Sequence, residues 1–511
     1  MITTLKEALN NYQTYRLKAL AKIVTDQPIP ETNSELINLL ENYINNNLEK
    51  IWQDLDELQQ AAVAEVVHSD ENDLDSVKFE AKYGESPEWS IIEISEDRLR
   101  YTETPTKLWL YFFQTSRYDH NEIIPEEIKV KLKKFVPKPI SLTLKTLTEL
   151  PPVWLRPNKE RWSAISSEGV KKPEQKMREF AFETRLREKA AIHDLQAILR
   201  LISSGKITVS DKTKQPNSAS LKVINPILAD GDFYEEKEIG EIQAFAWCML
   251  LQEAELVTGK KLQLTSNGTK ALNQPPHQTI RQIWQKWLKN TFFDELKRIN
   301  NIKGQTGAAG KSLTSKEKRR KAIIEALKIC PVGEWIETKE FCRYFQAFGY
   351  DLVVSRKPDS FSFDENSFID LDIFDSTGYW QALEARYLLC FLFEYAATLG
   401  LLDVAYVYPG YAKVGWDDYW KNSFFSRYDG LIYFRLNDLG AYCLGLTKEY
   451  TPPIVESSSE VKVLPNLEIV VTGEILNASE QLILDLYAEK ISDSVWKLTE
   501  NQLLTAHASG H

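Results

Sequence analysis

A chain of 511 residues is longer than a single hydrophobic core sustains, so about three or four domains are expected. Its composition, 43% hydrophobic and 26% charged, is that of a globular protein, and no run approaches the roughly 20 apolar residues of a membrane span, which excludes a membrane partner. The net charge of −11 excludes a protein coated evenly for nucleic acid and leaves room only for local basic patches.

Residues 1–70 read as helical. Leu17, Leu20, Ala21 and Val24 recur at helical spacing, Pro28 and Pro30 interrupt, and Thr32 or Asn33 can cap a second helix through Leu36, Ile37, Leu40 and Ile44. The helix–extended–helix pattern is similar to a SAP-like DNA-binding module with Lys18 and Lys22 as its bases; a plain helical hairpin stands beside that reading. Residues 71–150 are mixed α/β, with a winged helix as one option. Leu108–Phe113 is an apolar run suited to a buried strand or helical segment, and a short helix follows between Pro125 and Pro137. Residues 151–175, rich in Pro, Ser and Lys, read as a linker or surface arm.

A long helix is expected over about Met177–Ser203, with Leu186, Ala190, Leu195, Ile198, Leu199 and Ile202 as its apolar stripe. Gly205 stops it. Ile207 and Val209 then give a strand, Leu221, Ile224 and Leu228 mark a helix, and Lys261–Thr265 a strand ending in the turn Ser266-Asn267-Gly268. That order assembles a winged helix over 176–275. Residues 276–450 read as a helical region holding a second winged helix at 317–355, in which Glu317–Leu327 is helical, Trp335 and Ile336 are extended and Thr338 caps the next helix. An acidic, aromatic loop follows over 356–378, then a helix, Tyr379–Leu401, apolar nearly all round and capped by Gly400. A linker at 451–460 leads to a tail over 461–511: a strand-like stretch turning at Pro465-Asn466, a helix over Glu480–Lys490, the strand Val495–Leu498 and the helix Asn501–Ala508. The expected class is mainly α with small β elements (α+β), with tandem winged-helix modules and a C-terminal βαβα module.

Motifs for chemistry are missing. In Gly304–Ser312 five residues separate Gly304 from Gly310-Lys311, where a phosphate loop has four, and a basic helix end precedes it rather than an apolar strand. The five cysteines are dispersed among large apolar residues with no C-x-x-C, and the six histidines are scattered, so neither a zinc site nor any other metal or cofactor is expected. Buried thiols of this kind fit a reducing cytoplasm, and the first 20 residues lack the apolar core of a signal peptide.

Charge is concentrated. From Arg156 to Lys222 there are 15 basic residues against 8 acidic, and from Lys297 to Lys321 there are 9 against 1. From Asp359 to Glu384 there are 7 acidic residues and no basic ones. Two groups of cations are candidate phosphate ligands. Lys206, Lys212, Lys214 and Lys222 surround the turn in the first winged helix, where Pro216-Asn217-Ser218 is expected to leave an uncapped helix N-terminus. Lys303, Lys311, Lys316, Lys318, Arg319, Arg320 and Lys321, with Lys297 and Arg298 ahead of them, span a loop and the first helix of the second module.

The tail, with Leu464-Pro465-Asn466, Tyr487-Ala488-Glu489, Val495-Trp496-Lys497-Leu498 and a final Gly-His, resembles the small module ahead of the motor in XPB-type helicases, which is associated with recognising damaged or distorted DNA. From about residue 175 onward, stretches such as SGKITVSDKT, CPVGEW, FEYAATLGLLDVAYV and SRYDGLIYFRLNDLGAYCLG are similar to bacterial proteins with an XPB-type helicase N-terminal domain. No motor motif accompanies them. The resemblance therefore implies a non-catalytic accessory subunit that binds duplex or forked DNA beside a separately encoded helicase or nuclease, in DNA repair or anti-phage defence. The rival expectation is a protein-interaction scaffold, favoured by the net charge and the acidic 359–384 stretch.

Overall fold

The computed structural model describes residues 3–94, 101–114, 122–157, 177–290, 292–363, 380–412, 424–453, 459–473, 476 and 478–508. About 49% of the chain is helical and 15% is strand, in small sheets, so the mainly α, α+β class holds. The chain divides into one unit of Met1–Thr143 with Arg343–Gly349 and another of Leu144–Cys342 with Tyr350–His511. Among the described residues, no helix is long and apolar enough to cross a membrane.

The first unit is built from α1 (Leu5–Asn10), α2 (Thr14–Val24), α3 (Asn33–Gln53), α4 (Glu57–His68) and α5 (Ser76–Tyr83), then the hairpin β1 (Ser90–Ile94) and β2 (Tyr101–Pro105), the short strands β3 (Phe113–Gln114) and β4 (Glu122–Ile123), and α6 (Glu126–Leu132). Helix ends fall where short polar side chains replace missing backbone partners: Thr32 accepts from Glu35 N–H, and Asp56 and Gln59 close a reciprocal capping box. Leu17, Leu20, Leu36, Leu40 and Ile44 meet in the core, as their spacing requires. The apolar run enters it as a 3-10 turn, Lys107–Leu110, followed by β3, and Leu108, Leu110, Tyr111, Phe112 and Phe113 are all fully buried.

The second unit opens with β5 (Trp154–Pro157) paired to β6 (Met177–Phe180), then β7 (Glu183–Arg185) and α7 (Arg187–Ser203). The expected helix from Met177 thus starts ten residues late, and part of the presumed arm is a strand. Residues 177–185 are claimed by sheet partners, with β7 lying against a strand more than 200 positions away, a pairing no local window shows. Residues 158–176 of the arm lie outside the described residues.

After α7 come the extended Ile207–Val209, α8 (Ser218–Ile224), α9 (Gln243–Glu253), β8 (Val257–Thr258) and β9 (Gln263–Leu264). Val209 N–H donates to Lys260 O and Leu262 N–H to Ile207 O, while β8 pairs with β9. Helix, strand, helix, helix, strand, strand, with the third strand between the other two, is winged-helix connectivity. The Ser266-Asn267-Gly268 turn is corrected to the start of α10 (Ser266–Asn273), capped by Thr265. α11 (Pro276–Lys289), β10 (Ile302–Lys303) and the single turn α12 (Gly307–Gly310) follow.

The same connectivity then repeats on a larger scale. Its members are α13 (Lys316–Leu327), β11 (Trp335–Glu337), α14 (Thr338–Phe348), a long helix, β13 (Leu402–Tyr406) and β14 (Leu431–Leu436), with β12 (Ser362–Phe363) in the intervening loop. The long helix, α15, runs continuously through π-helical Gln381–Ala385, α-helical Arg386–Cys390 and π-helical Phe391–Ala396. β14 lies between β11 and β13, and β7 adds at the far edge, giving the order β11-β14-β13-β7. Within this unit the elements of the second module therefore run from 316 to 436, apart from Arg343–Gly349 of the first unit, rather than over 317–355. Its third helix and last two strands come after a long loop, of which 364–379 lies outside the described residues. Thr338 is the first residue of α14, and its hydroxyl donates to Ile432 O at 3.0 Å.

The two modules are interlocked. Gly400 ends α15 with φ +78°, and a Cβ there would fall 2.5 Å from Ala191 Cβ of α7, so glycine sets the approach of the modules as well as the turn. Buried ion pairs cross the same core. Arg187, fully buried, meets Asp194 at 3.0 Å, and its backbone N–H donates to Asp403 of β13 at 2.8 Å. Arg298 meets Glu394 of α15 at 2.7 Å, Arg319 grips Asp294 through two nitrogens at 3.0 and 2.7 Å, and Arg320 donates to Glu295 at 2.6 Å.

The chain closes with α16 (Asp438–Leu444) and a C-terminal sheet of β15 (Ser459–Val463), β16 (Glu468–Gly473), β17 (Ala488–Ser492) and β18 (Val495–Leu498), with α17 (Ala478–Tyr487) and α18 (Glu500–Ala508). The expected βαβα tail is thus ββαββα. The first strand folds into a hairpin at Pro465-Asn466, and Ala488–Ser492 leaves the presumed helix to pair with β18.

Glu253, at the end of α9, is buried and forms no ion pair among the described residues. Burial pushes its carboxyl up to about 8, with Arg320 opposing and Glu295 adding to the rise. The native state then holds this proton more tightly than the unfolded chain does. Its contribution to stability is full below the ordinary carboxylate value and is lost as pH rises through about 8. Glu253→Gln is expected to leave thermal stability at pH 5 nearly unchanged and to raise it at pH 9 by roughly 1–3 kcal/mol; melting curves at the two pH values check this.

Candidate nucleic-acid interface

The exposed edge of the first module is built on the 207–209 strand. Ile207 and Val209 are buried, so the alternation of a strand turns Lys206, Thr208 and Ser210 outward. The chain then makes a tight turn. Lys214 N–H donates to Ser210 O at 2.8 Å, Ser210 N–H to Gln215 O at 2.9 Å, and Thr213 N–H to Ser210 Oγ at 3.2 Å. Lys214 sits at φ +59°, and Gln252 of α9 donates its amide to Lys214 O at 2.9 Å. The turn carrying Lys212 and Lys214 is thus fixed to the module's third helix.

The wing between β8 and β9 completes the edge. Gly259 takes φ +94°, where a Cβ would meet Lys261 O at 3.0 Å, and so turns the chain. Thr208 lies opposite Lys261, and the Lys261 stem covers Gly205. Lys260 Nζ reaches Asp211 at 3.1 Å, with both side chains more than 60% exposed, a pair worth little in water. Lys206, Lys212, Lys214, Lys260 and Lys261 therefore share one edge with Asp211, five lysines against one carboxylate. Lys222 is exposed on the neighbouring α8.

The sequence points to Lys206, Lys212, Lys214 and Lys222; strand pairing adds Lys260 and Lys261 to the same edge. The signal was present in Thr258-Gly259-Lys260-Lys261, a glycine turn with two cations between short strands. The uncapped helix N-terminus is a correction: Asn217 Oδ1 accepts from Ser220 N–H at 2.8 Å, so α8 is closed by its own side chain.

The second basic run is broken up by the fold. Arg319 and Arg320 are buried and committed to Asp294 and Glu295, and Arg298 to Glu394, so these three are withdrawn as phosphate ligands. Arg320 also lies over the Trp287 ring and Arg319 over the Tyr387 ring. Helical spacing held the clue: Arg319 and Arg320 continue, one turn back, the apolar stripe of Ile323, Ala326 and Leu327. Lys297, Lys303, Lys311, Lys318 and Lys321 remain exposed and Lys316 is half-buried; Lys303 donates to Asn300 O at 2.7 Å. In Gly304–Ser312 the Gln305 amide is spent on the carbonyls of Leu296, Ile299 and Ile302, and Ser312 on Ser355, so these two side chains serve the fold.

The third helices decide what kind of contact is available. In helix-turn-helix proteins that helix enters the major groove. Here every α9 residue from Gln243 to Leu251 is buried, and α15 is enclosed from Ala382 to Ala396 except at half-buried Arg386. Neither can reach base edges without unpacking the core. The wing edge presents exposed ammonium groups; contacts of such groups with phosphate carry no sequence information.

Among the described residues, no group of three or more His, Cys, Asp or Glu side chains could hold a metal ion. The five cysteines are free, and burial pushes the thiols of Cys248, Cys330 and Cys342 up to about 12. No known family model matches the chain, and no curated protein matches it.

The two classes of cation on α13 separate experimentally. Arg320→Ala leaves Glu295 buried and unpaired and is expected to cost about 3–5 kcal/mol in urea unfolding. Lys318→Ala and Lys321→Ala, at exposed positions, are expected to stay within about 0.5 kcal/mol of the parent.

Proposed function

We propose that the protein is a non-catalytic DNA-binding accessory subunit that grips duplex or forked DNA by its phosphates along the wing edge of the first module. Lys206, Lys212, Lys214, Lys260 and Lys261 provide the contact, with Lys222 beside them. The observation that carries this reading is the convergence of these lysines on one hydrogen-bonded edge while both third helices are enclosed. Positive groups held on a rigid frame release counterions from the duplex without paying to order a loop. The resemblance of the tail to the damage-recognition module of XPB-type helicases supports the choice of partner: a separately encoded helicase or nuclease would supply the chemistry, in repair or anti-phage defence. A cytoplasmic setting belongs to the same proposal.

With about five phosphates engaged, affinity for a duplex is expected to fall roughly 10²–10³-fold between 50 and 200 mM salt and to change little when the base sequence is scrambled. The combined variant Lys206→Glu, Lys212→Glu, Lys260→Glu, Lys261→Glu is expected to lose that binding with its melting temperature retained. Titrations of labelled duplex, forked and single-stranded DNA check this; no binding to any of them at 50 mM salt, or an unimpaired variant, would refute the proposal.

The scaffold reading keeps one specific support: enclosed third helices combined with a net charge of −11 also suit a module that docks protein. Under that reading the four substitutions would leave partner capture intact and DNA would play no part.

A further inference from the structure

We propose that the second unit carries another binding site, a cavity of about 340 Å³ at the end of β7 and β13, which receives the guanidinium or ammonium group of a basic protein segment. The inference does not rest on the DNA reading.

The back of the cavity is aromatic. Phe233, Tyr234 and Tyr406 are buried and set nearly at right angles: Tyr234 and Tyr406 have centroids 5.2 Å apart at 78°, and Phe233 and Tyr406 5.7 Å apart at 78°. The two tyrosine hydroxyls are tied to the backbone, Tyr234 donating to Val407 O at 2.9 Å and Tyr406 to Phe233 O at 2.7 Å. The rings are therefore fixed, and Tyr408, half-buried, closes one side.

The chemistry of the walls selects a cation. Arg185 shows that these rings accept a guanidinium: its central carbon lies 5.9 Å from the centroids of both Phe233 and Tyr406. Arg185 is already satisfied, by Glu183 at 2.7 Å and by the carbonyls of Asp230 and Gly231 at 2.6 and 3.2 Å. Its ion pair is with Glu183. Glu235 and Glu236, exposed on the rim, form no ion pair among the described residues, and Glu238 beyond them accepts only the Tyr408 hydroxyl, at 3.4 Å. The cavity thus has a surplus of negative charge above fixed ring faces, with one guanidinium already stacked there. A second cationic side chain from a partner fits it: the stem against Tyr408, the head between Glu235 and Glu236.

The experiment uses a fluorescent peptide of alternating Arg and Gly, with the same peptide carrying citrulline for Arg as its uncharged counterpart, titrated with the full chain at 50 mM salt. Binding of the Arg peptide alone is expected. Glu235→Gln with Glu236→Gln, and separately Tyr408→Ala, are each expected to weaken it at least tenfold, while Tyr408→Phe, which keeps the ring, binds like the parent. Absence of binding by the parent overturns the site. Full binding by Tyr408→Ala reduces the cavity to a diffuse acidic surface and overturns it equally, as does loss of binding in Tyr408→Phe.

Discussion

In the core of the second unit, Glu394 of α15 holds Arg298, and Glu295 holds Arg320, each carboxylate taking a tyrosine hydroxyl as well, from Tyr428 and Tyr387. Beside them Arg319 is clamped on Asp294 and Arg187 is surrounded by Asp194, Asp230 and Gln243. Charges removed from water cost several kcal/mol each, and they are tolerated only where a partner and further hydrogen bonds replace the lost solvent. These pairs meet that condition around the junction of the two winged-helix modules. Beside them Trp284, Trp287, Phe391 and Tyr395 pack ring against ring.

That constraint determines what is left for function. Locking the modules together encloses α9 and α15, so the elements that read bases in related topologies become structural. What remains outside is the frame around them: the wing edge with its lysines, and the ring-backed cavity beside β7. The first is the surface proposed to take phosphate. The second has the opposite charge. A chain of net charge −11 can carry both because local fields, not the total, govern each contact.

Much of the fold was legible in the sequence because helix periodicity and caps are local. α2, α3, the helix after Leu186, the apolar α15 and the order of the first module all follow from residue spacing. The errors share a cause. β7 forms because β13 is waiting for it, β17 leaves a helical pattern to pair with β18, and the second module closes across a long loop; each depends on contacts remote in sequence. The basic patch failed in the same way. The run Lys318-Arg319-Arg320-Lys321 looks uniform, yet helical geometry sends its middle pair inward to Asp294 and Glu295. Arg187 and Asp403, which sit in one network, are separated by more than 200 positions, and no spacing rule connects them. Lys260 and Lys261 were visible as residues but not as neighbours of Lys206, because only strand pairing brings the wing to that edge.

The central claim is that DNA lies along the wing edge while the enclosed helices and the second basic run stay out of the contact. Acetylation of lysines by a water-soluble reagent, read by mass spectrometry with and without duplex DNA, tests it position by position. The account predicts strong protection at Lys206, Lys212, Lys260 and Lys261 and unchanged reactivity at Lys303, Lys311, Lys318 and Lys321. Protection of the second group with the first left reactive would contradict it.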